Sequence, residues 1–461
     1  MALVGAFVVP HPPLLIPEVG KGQELKVSET LNSYREVAAR IAALEPETII
    51  ITSPHSIMYS DYFHISPGKS AKGDFGNFSA KQVAFQVNYD EDFVENLERC
   101  AEKNSLEAET LGEKDPCLDH GTMVPLYFIN EKIKDYKVVR IGLSGLSNTD
   151  HYQLGRCITS TAQKLNRRIV VVASGDLSHK LKEEGSYGFA AEGPRFDAEV
   201  TQAMKEGDFL KFMEFSPDYC EAAAECGLKS FIILAGTLSG KAVSTEFLSY
   251  EGTYGVGYAV CEFKIIGEDA ARNFDVIFKE KQRAIARELQ KLEDPYVHLA
   301  RLSLETYVQT GKRAKLPEGL PSEMLANRSG VFVSLKKHGS LRGCIGTTEA
   351  VTQNIAREIL RFAVSSGIED PRFPPVSEDE LPELVYSVDI LGEPEPITSA
   401  EELDVKRYGV IVTAGCKRGL LLPNLEGVDT VEQQISIAKK KAGIYNNENY
   451  SLERFEVVRH K

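Results

Sequence analysis

The sequence predicts two α/β-type units: a larger one with a mixed central sheet flanked by helices, and a smaller α+β one. Three observations carry that prediction. The chain has 461 residues, more than one hydrophobic core normally serves. Its first half alternates short apolar runs with amphipathic stretches, the pattern of a sheet covered by helices. Near Ile265–Phe278 the composition turns charged, and Lys279-Glu280-Lys281-Gln282-Arg283 opens a solvated stretch. A first domain over residues 1–268 and a second over 275–461 are therefore expected.

In the first half, apolar runs predict strands at Leu3–Val9, Thr48–Thr52, Val138–Leu143 and Arg168–Ala173. Helical spacing predicts helices at Ser28–Leu44, Glu91–Glu102, Thr149–Leu165 and Arg195–Lys205, then one longer apolar helix at Ala222–Leu238. Two β-like runs, Val243–Tyr250 and Tyr254–Phe263, close this half. The second half mixes expected helices (Pro295–Thr310, Thr352–Ser365, Val431–Ala442) with expected strands (Gly330–Leu335, Leu384–Leu391, Gly409–Thr413, Arg454–Val458). The Pro/Glu-rich stretch Glu369–Glu383 reads as an ordered surface loop. Gly236-Thr237-Leu238-Ser239-Gly240-Lys241 is one residue short of a phosphate loop and ends a helix instead of opening one, so it reads as a turn. Gly252-Thr253-Tyr254-Gly255-Val256-Gly257 reads as a turn too.

Hydrophobic residues make up 43% and charged residues 26%, and the formal net charge is -14. Such a surface repels phosphate backbones, which argues against nucleic acid as a partner. The eight cysteines form no C-x-x-C pair, against a zinc knuckle and in keeping with a reducing compartment. The apolar start, Met1–Val9, lacks basic flanks and runs into Pro10-His11-Pro12-Pro13, so it reads as a buried strand rather than a signal peptide. No apolar run is long enough to span a bilayer. A cytoplasmic protein without membrane contact is expected.

The histidines are the informative residues. His11 directly follows the first expected strand, His55 the second, and His179 comes shortly after the fourth, in Ser174-Gly175-Asp176-Leu177-Ser178-His179. Loops beyond the carboxyl ends of strands converge on the ligand crevice of open α/β sheets. A single histidine so placed is ordinarily a loop or core residue; three in equivalent places suit a metal or acid–base site. His120 adds a fourth, in Leu118-Asp119-His120-Gly121-Thr122, where Asp119 equally suits a helix N-cap. His64, His151, His298, His338 and His460 have no comparable placement and read as structural or surface residues.

The set Pro10-His11-Pro12, Pro54-His55-Ser56, Asp119-His120-Gly121 and Gly175-Asp176-Leu177-Ser178-His179 resembles the class III extradiol ring-cleavage dioxygenases and the related Memo-like proteins, over roughly residues 3–263. The resemblance implies Fe(II) held by two histidines and a carboxylate, with open positions for a catecholate and O₂; Zn(II) or another divalent metal is the alternative. It implies His11 and His55 as the metal imidazoles, His179 as an acid/base beside the bound oxygen and His120 as a base or positioner for the phenol. Asp176 would hold an imidazole tautomer or merely make its turn. Glu225, in Ala223-Ala224-Glu225-Cys226-Gly227, is the first candidate for the carboxylate. Cys226 is the alternative third ligand, as in Memo-like proteins, and would favour a softer metal. The implied activity is cleavage or oxidation of a catechol-type aromatic with O₂. The alternatives are redox or hydrolytic chemistry without O₂, and a two-domain scaffold.

In the second half, Ser340-Leu341-Arg342-Gly343-Cys344-Ile345-Gly346 follows an expected strand, and its two glycines imply a tight turn or close backbone approach. This Leu-Arg-Gly-Cys-Ile-Gly run, with Asp370-Pro371-Arg372-Phe373-Pro374-Pro375, resembles the AMMECR family over about residues 275–461. No activity comes with that resemblance. Arg342 is a candidate for binding an anion bidentately and Cys344 for a nucleophile; the blander reading makes Arg342 a structural donor and Cys344 a small buried residue. Because extradiol-like, AMMECR-like and radical-SAM proteins tend to occur together in microbes, the implied partners are a small aromatic substrate, O₂ and a radical-SAM pathway protein. A homo-oligomer is compatible with the sequence.

Overall fold

The computed structural model describes residues 2–112, 117–425, 428–445 and 448–461. The chain divides into two compact units, Met1–Phe278 and Lys279–Lys461. Among the described residues no helix is long and apolar enough to cross a membrane.

The first unit is built on six strands: β1 (Leu3–Val9), β2 (Thr48–Ser53), β3 (Lys137–Gly142), β4 (Ile169–Ser174), β5 (Lys241–Glu251) and β6 (Tyr258–Glu268). Their order is β3-β2-β4-β1-β6-β5. The first four run parallel, and the β5–β6 hairpin is added antiparallel along β1. Every residue of β2 and β4 is buried, as expected for parallel strands with both faces covered. On one face pack the helices Ser28–Ala43 and His120–Asn130; on the other lie Glu91–Lys103, Asn148–Leu165 and Leu228–Thr237. The crossover pattern that feeds β2, β3 and β4 keeps them parallel to β1. It brings the carboxyl ends of β2, β4 and β1 side by side, at the same edge of the sheet.

Two features depart from expectation. The apolar run Ala222–Leu238 is two helices, Pro217–Ala223 and Leu228–Thr237. Ala224 breaks it in a left-handed conformation, φ 51°, and the break displays Glu225 and Cys226. A hairpin, Ser70–Phe75 with Ala80–Asn88, also appears where no strands were expected. Its polar, alternating sequence covers the β2–β3 side of the sheet, and such an excursion carries little hydrophobic periodicity.

The second unit holds a seven-stranded antiparallel sheet: β7 (Val331–Lys337), β8 (Ser340–Gly346), β9 (Leu384–Leu391), β10 (Glu395–Ile397), β11 (Tyr408–Ala414), β12 (Lys417–Leu421) and β13 (Ser451–His460). The order is β8-β7-β9-β13-β11-β12, with β10 pairing on β13. Helices Pro295–Thr310 and Ile355–Ile368 cover one face through Val331, Val333 and Leu335. The Leu-Arg-Gly-Cys-Ile-Gly run is strand β8, not a turn; the turn lies just before it, at His338 and Gly339, φ 52° and 81°. Gly343 and Gly346 instead permit close approach, since a Cβ would meet Ser366 O and Val331 O at 2.0 and 2.2 Å. Residues 378–383 of the Pro/Glu-rich stretch form a 3₁₀ turn.

Candidate metal centre

Beyond the last residues of β1, β2 and β4 the chain delivers the histidines into one space. The His11 and His55 rings are 4.7 Å apart, His55 and His120 4.0 Å, and His11 and His120 5.5 Å. The Nε2 atoms of His11 and His55 face each other at 3.0 Å. Cys226 Sγ lies 3.7 Å from His11 Nε2. His11, His55 and Cys226 each bring one ligand atom to a common point, all three within 4.8 Å of one another.

The orientation of His11 follows from a helix defect. Pro125 sits inside the helix His120–Asn130 and has no N–H, so the Gly121 carbonyl four residues earlier loses its helical donor. Ser174 Oγ fills the place, donating to Gly121 O at 2.6 Å. With its only proton committed, that hydroxyl can only accept from the His11 ring, 3.0 Å away at Nδ1. His11 therefore carries its proton on Nδ1 and turns a bare Nε2 lone pair toward the cluster, the usual anchoring of a metal-binding imidazole. Ser174→Ala should cost about 10–100-fold in metal affinity while leaving the fold intact. Competitive titration with a chelator checks this, and an unchanged affinity would deny the serine that role.

Asp176 does not hold the imidazole tautomer. Its Oδ1 accepts the main-chain N–H of His11 at 2.8 Å, with Oδ2 3.8 Å from His11 Nε2. Burial pushes this carboxyl up to about 7. Glu225 does not join the cluster: its carboxylate turns back to accept the Leu228 N–H at 2.7 Å, capping the next helix. Burial also pushes it up to about 7, and Cys226 occupies the neighbouring place instead. Asp119 is indeed a cap, accepting from Thr122 N at 2.9 Å, and it also takes Ser53 Oγ at 2.5 Å. His120 opens that helix and stands over the His55 ring.

His179 Nδ1 donates to the Ala224 carbonyl at 2.6 Å, leaving its Nε2 free as an acceptor. It is within electrostatic reach of both His11 and His55. Burial holds all four imidazoles below their ordinary range; His55, beside His120, falls to about 4. At neutral pH they are uncharged and offer lone pairs. Next to them opens a cavity of about 820 Å³, walled by His55, His120, Phe78, Asp119, Lys72 and Arg140.

The donor set fits a metal ion. Two imidazole nitrogens about 2.1 Å from one tetrahedral ion lie about 3.4 Å apart, a few tenths of an ångström more than the 3.0 Å Nε2 separation found. With His11 Nε2 bare, His55 Nε2–H donates to it, and a cation shared by the two nitrogens would take that proton's place as His55 shifts its proton to Nδ1. Sequence reasoning missed Ser174, Pro125 and Asp197, whose buried carboxylate accepts Ser178 N–H and Tyr250 OH and so fixes the His179 loop. A proline inside an apolar helix was the available signal. The other histidines lie elsewhere: His64 is buried in the short strand Phe63–His64, His151 is buried and donates to Ser147 O, His298 is exposed, His338 pairs with Glu383 and His460 stacks on Tyr296.

Residues 5–261 match the family model described as the catalytic LigB subunit of aromatic ring-opening dioxygenase. The chain belongs to this LigB family. Residues 297–460 match the AMMECR1 family, so a LigB-type unit is fused to an AMMECR1-type one. Protein CA_C1420 of Clostridium acetobutylicum is 44% identical over the full length of both chains. A Thermotoga maritima protein is 52% identical across 37% of this chain and 98% of its own. Among solved structures, the uncharacterized protein PH0010 from Pyrococcus horikoshii is 31% identical, covering 36% of this chain and 88% of that one at a TM-score of 0.34. In the LigB-type unit the family resemblance made a carboxylate the first choice of third donor; here a thiol stands nearer the two imidazoles than Glu225 does.

Proposed function

We propose that the LigB-type unit is a metal-dependent oxidoreductase acting on a small phenolic or catechol-type molecule, with His11, His55 and Cys226 as the metal ligands. The convergence of those three ligand atoms carries this reading. Two imidazoles and a thiolate suit borderline and soft ions such as zinc, copper or a thiolate-bound iron better than a hard one. The bound ion would supply Lewis acidity and, if redox-active, electrons.

The chain's own residues supply positioning and proton transfer. The cavity beside His55 offers an aromatic ring the wall formed by Phe78 and His120, whose own rings pack edge to face 5.5 Å apart. His120, neutral because burial depresses its basicity, would accept a phenolic proton from a molecule seated in the cavity. His179, its Nδ1–H fixed on the Ala224 carbonyl, presents Nε2 to take or return a second proton.

A second reading, Fe(II)-dependent ring opening with O₂, is favoured by the LigB family description and by the presence of two bases. Loading the protein with Fe(II), Zn(II) or Cu(II) and following substrate loss and O₂ uptake across a catechol panel separates the two. O₂ consumed in step with ring opening, with iron alone, supports the second. Turnover with another ion, or without O₂, supports the first. No turnover of any phenol or catechol with any of these ions would contradict both.

The pH dependence of metal binding identifies the third ligand. Burial holds the Cys226 thiol well above its usual range, while His11 and His55 are held below theirs. Between about pH 6 and 8 binding therefore releases close to one proton, from the thiol, and affinity should rise about tenfold per pH unit. The sign follows from the ligand being the deprotonated form. Cys226→Ser should flatten the slope. A centre using Glu225, whose carboxyl sits at about 7, would level off above that pH in the wild type.

A further inference from the structure

The second unit contains a polar cluster that the chemistry above does not use, and it unites the two motifs the sequence singled out. Cys344 on β8 pairs across the sheet with Ser334 on β7, which pairs in turn with Ser387 on β9. Directly paired residues share a face, and this row lies on the face opposite Val331, Val333 and Leu335, away from the helices Pro295–Thr310 and Ile355–Ile368. Ser334 Oγ is 3.2 Å from Cys344 Sγ. One step along the same face, Asp389 pairs with Arg459 of β13.

The Asp370-Pro371-Arg372 loop closes on the same cysteine. Asp370 Oδ2 accepts the Cys344 N–H at 2.9 Å, and Arg372 Nη2 donates to the Cys344 carbonyl at 3.1 Å. Arg372 is held on Asp370 through Nε and Nη2, and Arg459 is held on Asp389 in the same manner. In both guanidinium groups the carboxylate takes one edge and leaves the Nη1 corner without a hydrogen-bonding partner among the described residues. Lys441, at the end of the helix Val431–Ala442, is within electrostatic reach of Cys344 and Arg372, as Arg459 is of Cys344. Its amine also has no hydrogen-bonding partner among the described residues. Arg342, the sequence's candidate for this role, is likewise held on a carboxylate, Glu380, through Nε and Nη2 at 3.0 and 2.9 Å, and its buried Nη1 has no hydrogen-bonding partner among the described residues.

Two guanidinium groups held rigid by carboxylates, each with one N–H corner spare, on the face of a half-buried thiol, and an exposed amine whose charge reaches it, are the groups an oxyanion receptor needs. We propose that the AMMECR1-type unit binds a small molecule bearing a carboxylate or phosphate group, held by Arg372, Arg459 and Lys441 with the Cys344 thiol against it. The Ser334 hydroxyl and the thiol form the floor of the site; the loop at Asp370–Phe373 forms its wall.

Alkylation of the full-length protein by iodoacetate and by iodoacetamide, read at the Cys344 peptide by mass spectrometry, tests this. The two reagents differ in charge, and their rate ratio, divided by the ratio for the same thiol in the urea-unfolded chain, removes the effect of burial. The anionic reagent should be favoured about tenfold, and Lys441→Gln or Arg372→Gln should reduce that preference severalfold. Protection of Cys344 by orthophosphate would assign a phosphoryl ligand, and protection by malonate a carboxylate. No charge preference, no change in either variant, no protection by either anion, or no reaction with either reagent would each overturn the proposal.

Discussion

His55→Ala is expected to lower metal affinity by more than about 100-fold, because disturbing only the outer partners of metal ligands already costs about 10–100-fold. His55 offers its Nε2 beside that of His11 at 3.0 Å, and alanine leaves two donors where three converged. The loss should not reflect unfolding: His55 lies in a loop, half-exposed, beyond the end of β2 rather than in the core. Glu225→Gln is the informative partner variant. Glutamine keeps an oxygen to accept the Leu228 N–H, so its metal stoichiometry should equal that of the wild type. Elemental analysis after anaerobic loading and desalting reads both. Metal kept in His55→Ala, or lost in Glu225→Gln, would contradict the ligand assignment.

The second large effect is expected at Gly175. A Cβ there would stand 2.2 Å from Gly227 Cα and 3.2 Å from its carbonyl carbon. Both are backbone atoms, so no rotamer change relieves the clash. The two loops touch at this point, one carrying Asp176 and the other Cys226, and Cys226 N–H reaches Asp176 O across the contact. Gly175→Ala should destabilise the protein by about 3 kcal/mol, the upper end of overpacking costs, and release the metal by moving Cys226 away from His11. Gly267→Ala is the control, its nearest neighbour being Ala242 Cβ at 4.0 Å. Urea unfolding and metal content measured together decide the matter. Equal stability of the two variants would show that the glycine contact does not position the thiol.

Much of the first unit was legible because its signals are strong and local. Buried parallel strands read as unbroken apolar runs, and β1, β2 and β4 were found where those runs lie. The placement of His11, His55 and His179 after them follows from α/β geometry alone. What escaped were features set by tertiary contact. The break at Ala224 depends on a left-handed residue inside a stretch of good helix formers, which periodicity cannot detect. Without that break, Glu225 and Cys226 look like interchangeable residues at the start of one helix. In the structure they diverge, the carboxylate capping Leu228 and the thiol approaching His11. The Ser174–Gly121 bond was equally invisible, since it joins residues 53 positions apart. In the second unit, the glycines of the Leu-Arg-Gly-Cys-Ile-Gly run implied a tight turn or close backbone approach, and the structure shows the second, within a strand.

X-ray absorption at the edge of the bound metal tests the central claim most directly. The account predicts one sulfur neighbour at about 2.3 Å together with two imidazoles at about 2.0–2.1 Å. The sulfur should vanish in Cys226→Ser and persist in Glu225→Gln. A first shell of nitrogen and oxygen alone in the wild-type protein would contradict the His11, His55 and Cys226 centre.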